Sequence, residues 1–346
     1  MLRPAGPFDV RPAEPADGPS LARLEWLAPD AGSVGLRMRL RRGYLATVDR
    51  YPNTRSFVAV DRRGSLVGTI SSSVGPTRCA GRVVSGVYLF SLRVDPAVRH
   101  RGIGKALVQH AWEEARGRAE VEIGWAGVMG GNLASARTFA SSGFSRERDL
   151  PISIVPRLAV GWAGPFHAQR GTVVRHARAG DLDQFIAALA TRHARHQFYR
   201  PLDVDTLRHE LAATGGSIDD LWLALGPDGE IRAAGLVVDL ARPADVRIAG
   251  LRRLPGLVRS VVEPIVSRMP IRPLLLRHAF LGSDTAYLVR RLLLGYGGAT
   301  TALSLVVDPR DPAWPTVRSL PAVTGRVSIV IRGTAMLDPT LPLAPL

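Results

Sequence analysis

Apolar and polar positions alternate in short runs and then shift to helical spacing, and this succession of patterns runs through the chain twice. In the first half a β-branched strand leads into a helix from Pro19 to Leu27, and Ser56 to Asp61 and Ser65 to Ser73 flank Arg62-Arg63-Gly64 as a hairpin. The apolar run Ser85 to Val94 reads as a long strand. A helix from about Gly102 to Arg116, a strand near Val121 to Ala126 and a helix from about Leu133 to Ser142, ended by Gly143, follow it. The second half repeats the opening with a helix from Leu182 to His193. A hairpin of Leu221 to Leu225 and Ile231 to Asp239 then turns at Pro227-Asp228-Gly229. A helical pattern from Arg252 to Arg268, bounded by Pro255 and Pro270, is peculiar to the second half.

The repetition extends to individual residues. Val10-Arg11-x-Ala13-x-x-x-Asp17 returns as Val174-Arg175-x-Ala177-x-x-x-Asp181, and Phe57-x-Ala59-Val60-x-x-x-Gly64 as Trp222-x-Ala224-Leu225-x-x-x-Gly229. Each Asp is placed to cap the helix after it. Two copies of one fold are therefore expected, over residues 1–155 and 171–346. The connector is read from the Pro- and Gly-rich stretch Pro151 to Gly171, with 156–170 as the linker proper.

At 346 residues with 46% apolar and 22% charged residues the chain has ample material for two cores. The net charge of +15 raises the prospect of nucleic acid, but Lys105 is the only lysine among 45 basic residues and the arginines form no dense tract. That distribution reads as solvated surface charge and argues against a phosphate groove. Cys79 stands alone, so no intramolecular disulfide is expected, which fits the cytoplasm. The segment Leu292 to Val307 is broken by Gly295, Gly297, Gly298 and Thr300, and the N-terminus lacks the apolar run of a signal peptide, so no membrane span is expected.

Candidate chemistry gathers after the long strand. Asp95-Pro96 ends it, and Arg99-His100-Arg101-Gly102-Ile103-Gly104-Lys105 opens the next helix. Free first-turn N–H groups, glycines that let the backbone approach an anion and flanking cations make a pyrophosphate cradle in outline. About thirty residues on, Asn132 begins a helix closed by Gly143-Phe144. The two motifs in this order resemble the GCN5-related N-acetyltransferase (GNAT) superfamily, over roughly Phe8 to Glu147. The segment Tyr88 to Pro96 with Arg101-Gly102-Ile103-Gly104, and the prolines at 151 and 156, are similar to the plant hookless-type N-acetyltransferases. The resemblance implies an α/β (α+β) protein of tandem GNAT folds, each a mixed, mostly antiparallel sheet flanked by helices, with the second copy degenerate.

The resemblance further implies acetyl-coenzyme A as co-substrate, no metal, and direct attack by a primary amine of a small molecule or protein. Leu92, Arg93 and Val94 would pair with the pantetheine arm. Arg99, His100, Arg101, Gly102, Ile103, Gly104 and Lys105 would hold the pyrophosphate, and Asn132, Ser135 and Phe139 would line the thiol end. Two family features are missing. Tyr88 stands where many relatives carry a strand Glu, and Phe139 where others carry a Tyr acid. Tyr88 and Glu122 are then the candidate catalytic groups, with Glu120 a further base, each weighed against a plain core or surface role. A non-catalytic acyl-coenzyme A sensor and a nucleic-acid-binding protein are the rival readings. His193 and His196 are read as a solvated or interdomain helix face in preference to metal ligands, and Gly282-Ser283-Asp284 as a lapsed cofactor loop.

Overall fold

The computed structural model describes residues 8–29, 34–41, 43–161, 166–251, 260, 263–264, 267–298, 301–335 and 337–344. The helix expected at Arg252 to Arg268 falls largely outside the described residues.

The first half begins β1 (Phe8–Pro12), α1 (Gly18–Leu27), β2 (Val34–Leu40), α2 (Tyr44–Val48), β3 (Thr54–Asp61) and β4 (Leu66–Cys79). It continues through β5 (Arg82–Val94), α3 (Ile103–Arg118), β6 (Ile123–Met129), α4 (Leu133–Ser141) and β7 (Ser145–Pro156). The second half comprises β8 (Val173–His176), α5 (Leu182–Arg192), α6 (Val204–Thr214), β9 (Leu221–Leu225), β10 (Ile231–Asp239) and β11 (Ala244–Leu251). Then come β12 (Arg272–Phe280), α7 (Thr285–Tyr296), β13 (Thr301–Val306), α8 (Trp314–Arg318) and β14 (Val323–Gly333).

Twelve of these strands form one sheet in the order β1-β3-β4-β5-β6-β14-β7-β13-β12-β10-β9-β8, while β2 and β11 pair antiparallel as a separate ribbon joining the halves. The order is nearly palindromic. Each half ends in an equivalent strand, β7 or β14, and these two lie side by side at the centre, each against the other half's preceding strand. Thus β14 pairs with β6, and β7 with β13. Alternate residues of both, Leu150 and Ile152 with Val327 and Ile329, share an apolar cluster with Ile123, Trp125 and Phe198. Pro151 to Pro156, read from sequence as the start of the connector, belongs to β7, and buried Val160 and Phe166 pack into the second half's core. Pro151 lies just outside the stretch of β7 that pairs with β13, and Pro156 is the strand's last residue.

Asp17 and Asp181 do not cap their helices with their side chains. Each instead accepts both ends of an arginine fork, from Arg11 and Arg175, and a backbone N–H three residues upstream. The repeated motif is thus a strand-to-helix clamp. On one face of the sheet α3 covers β4 and β5 through Ile103, Leu107, Val108 and Ala111 against Ile70, Val87 and Leu89. Tyr88 and Phe90, pointing the other way on β5, face α1, α2 and Tyr51.

Candidate functional site

Strand β5 runs parallel to β6 only from Gly86 to Tyr88, opposite Ile123 to Trp125. Beyond that point β6 stays with β14 as far as Met129, while β5 follows β4 to Val94, so the two strands diverge. A bulge lies in the free stretch. The pairing skips between Thr69 and Ser71, and Ser91 takes a left-handed conformation at φ 53°. Leu92, Arg93 and Val94 therefore present a backbone edge toward a wedge-shaped opening. The Arg93 side chain turns away from it, to the buried Glu25 at 3.1 and 3.2 Å.

The loop after β5 reaches α3 through His100 at φ 64° and Gly102 at φ 81°. Gly102 is the N-cap, with no side chain capping the helix, so the first-turn N–H groups remain available as donors. Its left-handed conformation favours glycine, whereas Gly104 is needed for packing. A Cβ at Gly104 would lie 3.2 Å from Thr138 Cγ2 on α4. Arg99, His100, Arg101 and Lys105 are exposed and have no ion-pair partner among the described residues, and Ile103 is buried against β5. Open donors, a helix dipole and unengaged cations at one point fit a diphosphate.

The other expected residues divide. Asn132 caps α4 by accepting the Ser135 N–H at 3.1 Å. Phe139 is buried in the core, edge-on to Phe144 at 5.2 Å, so it supports α4 from behind and does not line the thiol end. Glu122 precedes β6 at the end away from the opening, where Glu122 N–H donates to Ser85 O and its carboxylate lies 3.5 Å from Arg82. It does not join the site, because parallel β5 and β6 open at the opposite end. Glu120 is exposed in the turn before it. Tyr88 does join the site. Its ring stacks on Trp125 at 4.2 Å and Phe90 at 5.2 Å and meets Tyr51 edge-on at 5.3 Å. Burial, and then the neighbouring Tyr51, push its hydroxyl well above the usual phenol range.

Sequence reasoning missed Tyr51, Arg50, Arg200 and Arg277. Burial acts to raise Tyr51, but the Arg277 guanidinium, 4.8 Å above its ring centre, and Arg50, at 5.2 Å, override burial and lower its hydroxyl. No local motif marks these positions, since the fold brings them together from α2's end, the loop before α6, and β12. His193 and His196 are buried, not solvated. His193 Nε2 lies 3.0 Å from Ala279 O and His196 Nε2 2.7 Å from Asp311, and burial drives His193 down to about 3.

The second half repeats the frame without the loop. Strand β12 runs parallel to β13 from Arg272 to Leu275 and then carries its own bulge, with His278 at φ 46°. Gly282 is wedged against β10, where a Cβ would sit 2.1 Å from Arg232 O. Asp284, fully buried at the start of α7, accepts the Gln169 N–H at 2.8 Å and the Thr172 hydroxyl at 2.9 Å. A carboxylate occupies the position where the first half offers donors to an anion.

A strand with a bulge, a splayed neighbour and a glycine-capped helix at the mouth of the gap decide the architecture. This is the GNAT fold, present in tandem. Residues 21–144 match the model of the acetyltransferase (GNAT) family. Among solved structures, a GCN5-related N-acetyltransferase from Sphaerobacter thermophilus is 16% identical, with 98% of each chain covered and a TM-score of 0.56. The N-myristoyltransferase of Saccharomyces cerevisiae with bound myristoyl-CoA is 11% identical over 96% of this chain and 80% of its own, at 0.64. A tandem GNAT protein from the clavulanic acid biosynthesis pathway is 13% identical over 96% of this chain and 100% of its own, at 0.59. No curated protein matches in sequence. The family match lies within the first copy and includes the loop from Arg99 to Lys105, and these neighbours, at such low identities, bear on the fold alone. Among the described residues no helix is long and apolar enough to cross a membrane, and no group of three or more metal-ligating side chains forms.

Proposed function

We propose that the protein is an N-acyltransferase that uses acetyl-coenzyme A, with residues 1–155 as the cofactor-binding unit and the degenerate unit 171–346 covering the acceptor side. The single observation that carries this is the coincidence of the β5–β6 opening with the uncapped α3 N-terminus. The bound coenzyme would supply the activated acyl carbonyl. N–H groups from Gly102 to Lys105 would hold its diphosphate with Arg99, His100 and Arg101, and Leu92 to Val94 would pair with its arm as an added strand.

Coenzyme A acyl transfer as a class rests on the family match and the fold. The acetyl group is our narrower reading, in keeping with the Tyr51-Tyr88-Trp125-Phe198 ring cluster, which packs bulky side chains where β5 and β6 part. Tyr88 would keep its proton and orient the acceptor by hydrogen bonding. Tyr51, lowered by its arginine neighbours, would take a proton from the incoming amine through water. The narrower kinship with the plant hookless-type proteins rests on the Tyr88 to Pro96 segment and the two prolines. A cytoplasmic setting rests on the lone, buried Cys79.

Calorimetric titration with acetyl-coenzyme A, followed by thiol release with a panel of amines, tests the reading. Saturable binding at one site with amine-dependent thiol release is expected. Binding without release for any amine would favour a sensor, and absence of binding would overturn the assignment.

A further inference from the structure

The acceptor face of β4 and β5 carries more positive charge than the structure neutralises. Arg200, from the loop before α6, lies over it. Its Nη1 donates to Ser73 Oγ at 2.9 Å, and Ser73 stands directly across from Tyr88. Its Nη2 rests against Gly75, where a Cβ would be only 2.3 Å away, and is buried without a hydrogen-bond partner. No carboxylate pairs with Arg200 among the described residues, and burial brings it down to about 10. Arg50 has a buried Nε with no hydrogen-bond partner and makes no close ion pair among the described residues, although it lies near enough to Glu210 to help lower it.

Among the described residues the carboxylate that acts on this cluster is Glu210 on α6, and it is already committed. It accepts from Arg277 and, at 2.7 Å, from His278 Nε2. Arg50, Arg200 and Arg277 thus surround Tyr51 and Tyr88 against a single carboxylate. Burying a guanidinium without a counter-charge is costly, and protein interiors resolve such sites by pairing. Arg200 as a whole is half-buried, although its Nη2 is covered. Gly75 keeps that fork close to the strand, because any side chain there would displace it.

We propose that Arg200, assisted by Arg50, docks an anionic group on the acceptor, which makes the acceptor class an amine that also carries a carboxylate or phosphate. This rests on the acyltransferase reading. Arg200 sits at the level of Tyr88, three residues along β5 from the bulge at Ser91, a span of roughly 10 Å at ~3.3 Å per residue. The amine and the anion are therefore separated by several bonds, as in an ω-amino carboxylate, and are not neighbours on one carbon.

The test compares ε-aminocaproate, aminohexyl phosphate, ε-aminocaproamide and hexylamine, both as ligands by calorimetry without coenzyme and as acceptors by thiol release. The anionic amines should bind and turn over at least about tenfold better than the two uncharged-tail analogues, since a charge-assisted pair is worth roughly 1.5–3 kcal/mol. Preference between the carboxylate and the phosphate then names the group. R200Q should erase the difference while acetyl-coenzyme A still binds. R200K should restore part of it, and thermal unfolding of both variants checks that they fold. Equal binding of ε-aminocaproate and hexylamine, or an unchanged preference in folded R200Q, overturns the proposal. Failure of the acyltransferase reading shows separately, as loss of acetyl-coenzyme A binding with anion binding intact.

Discussion

The bulge at Ser91 and the bulge at His278 are the same device in two surroundings. Both follow a short parallel pairing, both use a left-handed non-glycine residue, and both precede a helix. After Ser91 the chain passes through a glycine cap into a helix whose first donors are open. After His278 a wedged glycine and a buried aspartate close the equivalent helix. The frame of strand, bulge and helix therefore survives without the open helix terminus. What sets the first copy apart is the conformation of the loop and the absence of an internal anion, not the sheet.

The most severe way to break the comparison is to separate the copies. Residues 1–161 alone lack β14, so β6 and β7 lose their shared partner. This fragment should show no cooperative thermal transition, and a sharp one would mean that β7 can take β14's place beside β6. Next in size, Gly102→Val puts a β-branched residue at φ 81° and should weaken acetyl-coenzyme A binding by at least about tenfold, at a stability cost of ~1–2 kcal/mol. Wild-type affinity in this variant would move the diphosphate site elsewhere.

Asp284→Ala probes the closed copy. It strands the Gln169 N–H and Thr172 hydroxyl and should cost about 2 kcal/mol in denaturant unfolding, with coenzyme stoichiometry still one. A stoichiometry of two would show that a single carboxylate separates the copies. The mildest effect concerns acid. Glu210 is held down to about 2 by Arg277 and His278 despite burial, below its unfolded value near 4.3. Its contribution is present above that unfolded value and is lost as pH falls from about 4.3 toward 2. Stability measured across this window should decline less steeply in Glu210→Gln, and identical slopes would remove Glu210 from the account.

How much of this was legible in the chain follows from where each signal resides. The strands and helices around Ser85 to Ser142 were readable because period, caps and glycines are local. The hairpin Leu221–Leu225 and Ile231–Asp239 matched residue for residue. The loop from Arg99 to Lys105 was readable for the same reason. The exchange of β7 and β14 was not, since a strand's pattern tells which face is buried but not which partner it meets. Glu122 looked available because its charge is written in the sequence while its position at the wrong end of β6 is not. The Arg50, Arg200 and Arg277 cluster was invisible because its members lie far apart in the chain and meet only across the two halves.

The crossed central strands also bear on synthesis. Between Pro156 and Gly333 the ribosome must add roughly 180 residues, which at ~5–20 residues per second takes about 10–35 s. Throughout that interval the N-terminal copy holds β6 without its β14 neighbour, an unsatisfied hydrogen-bonding edge beside an apolar surface. The longer completion takes, the longer that edge stays open, and truncated products should be targets for aggregation or degradation.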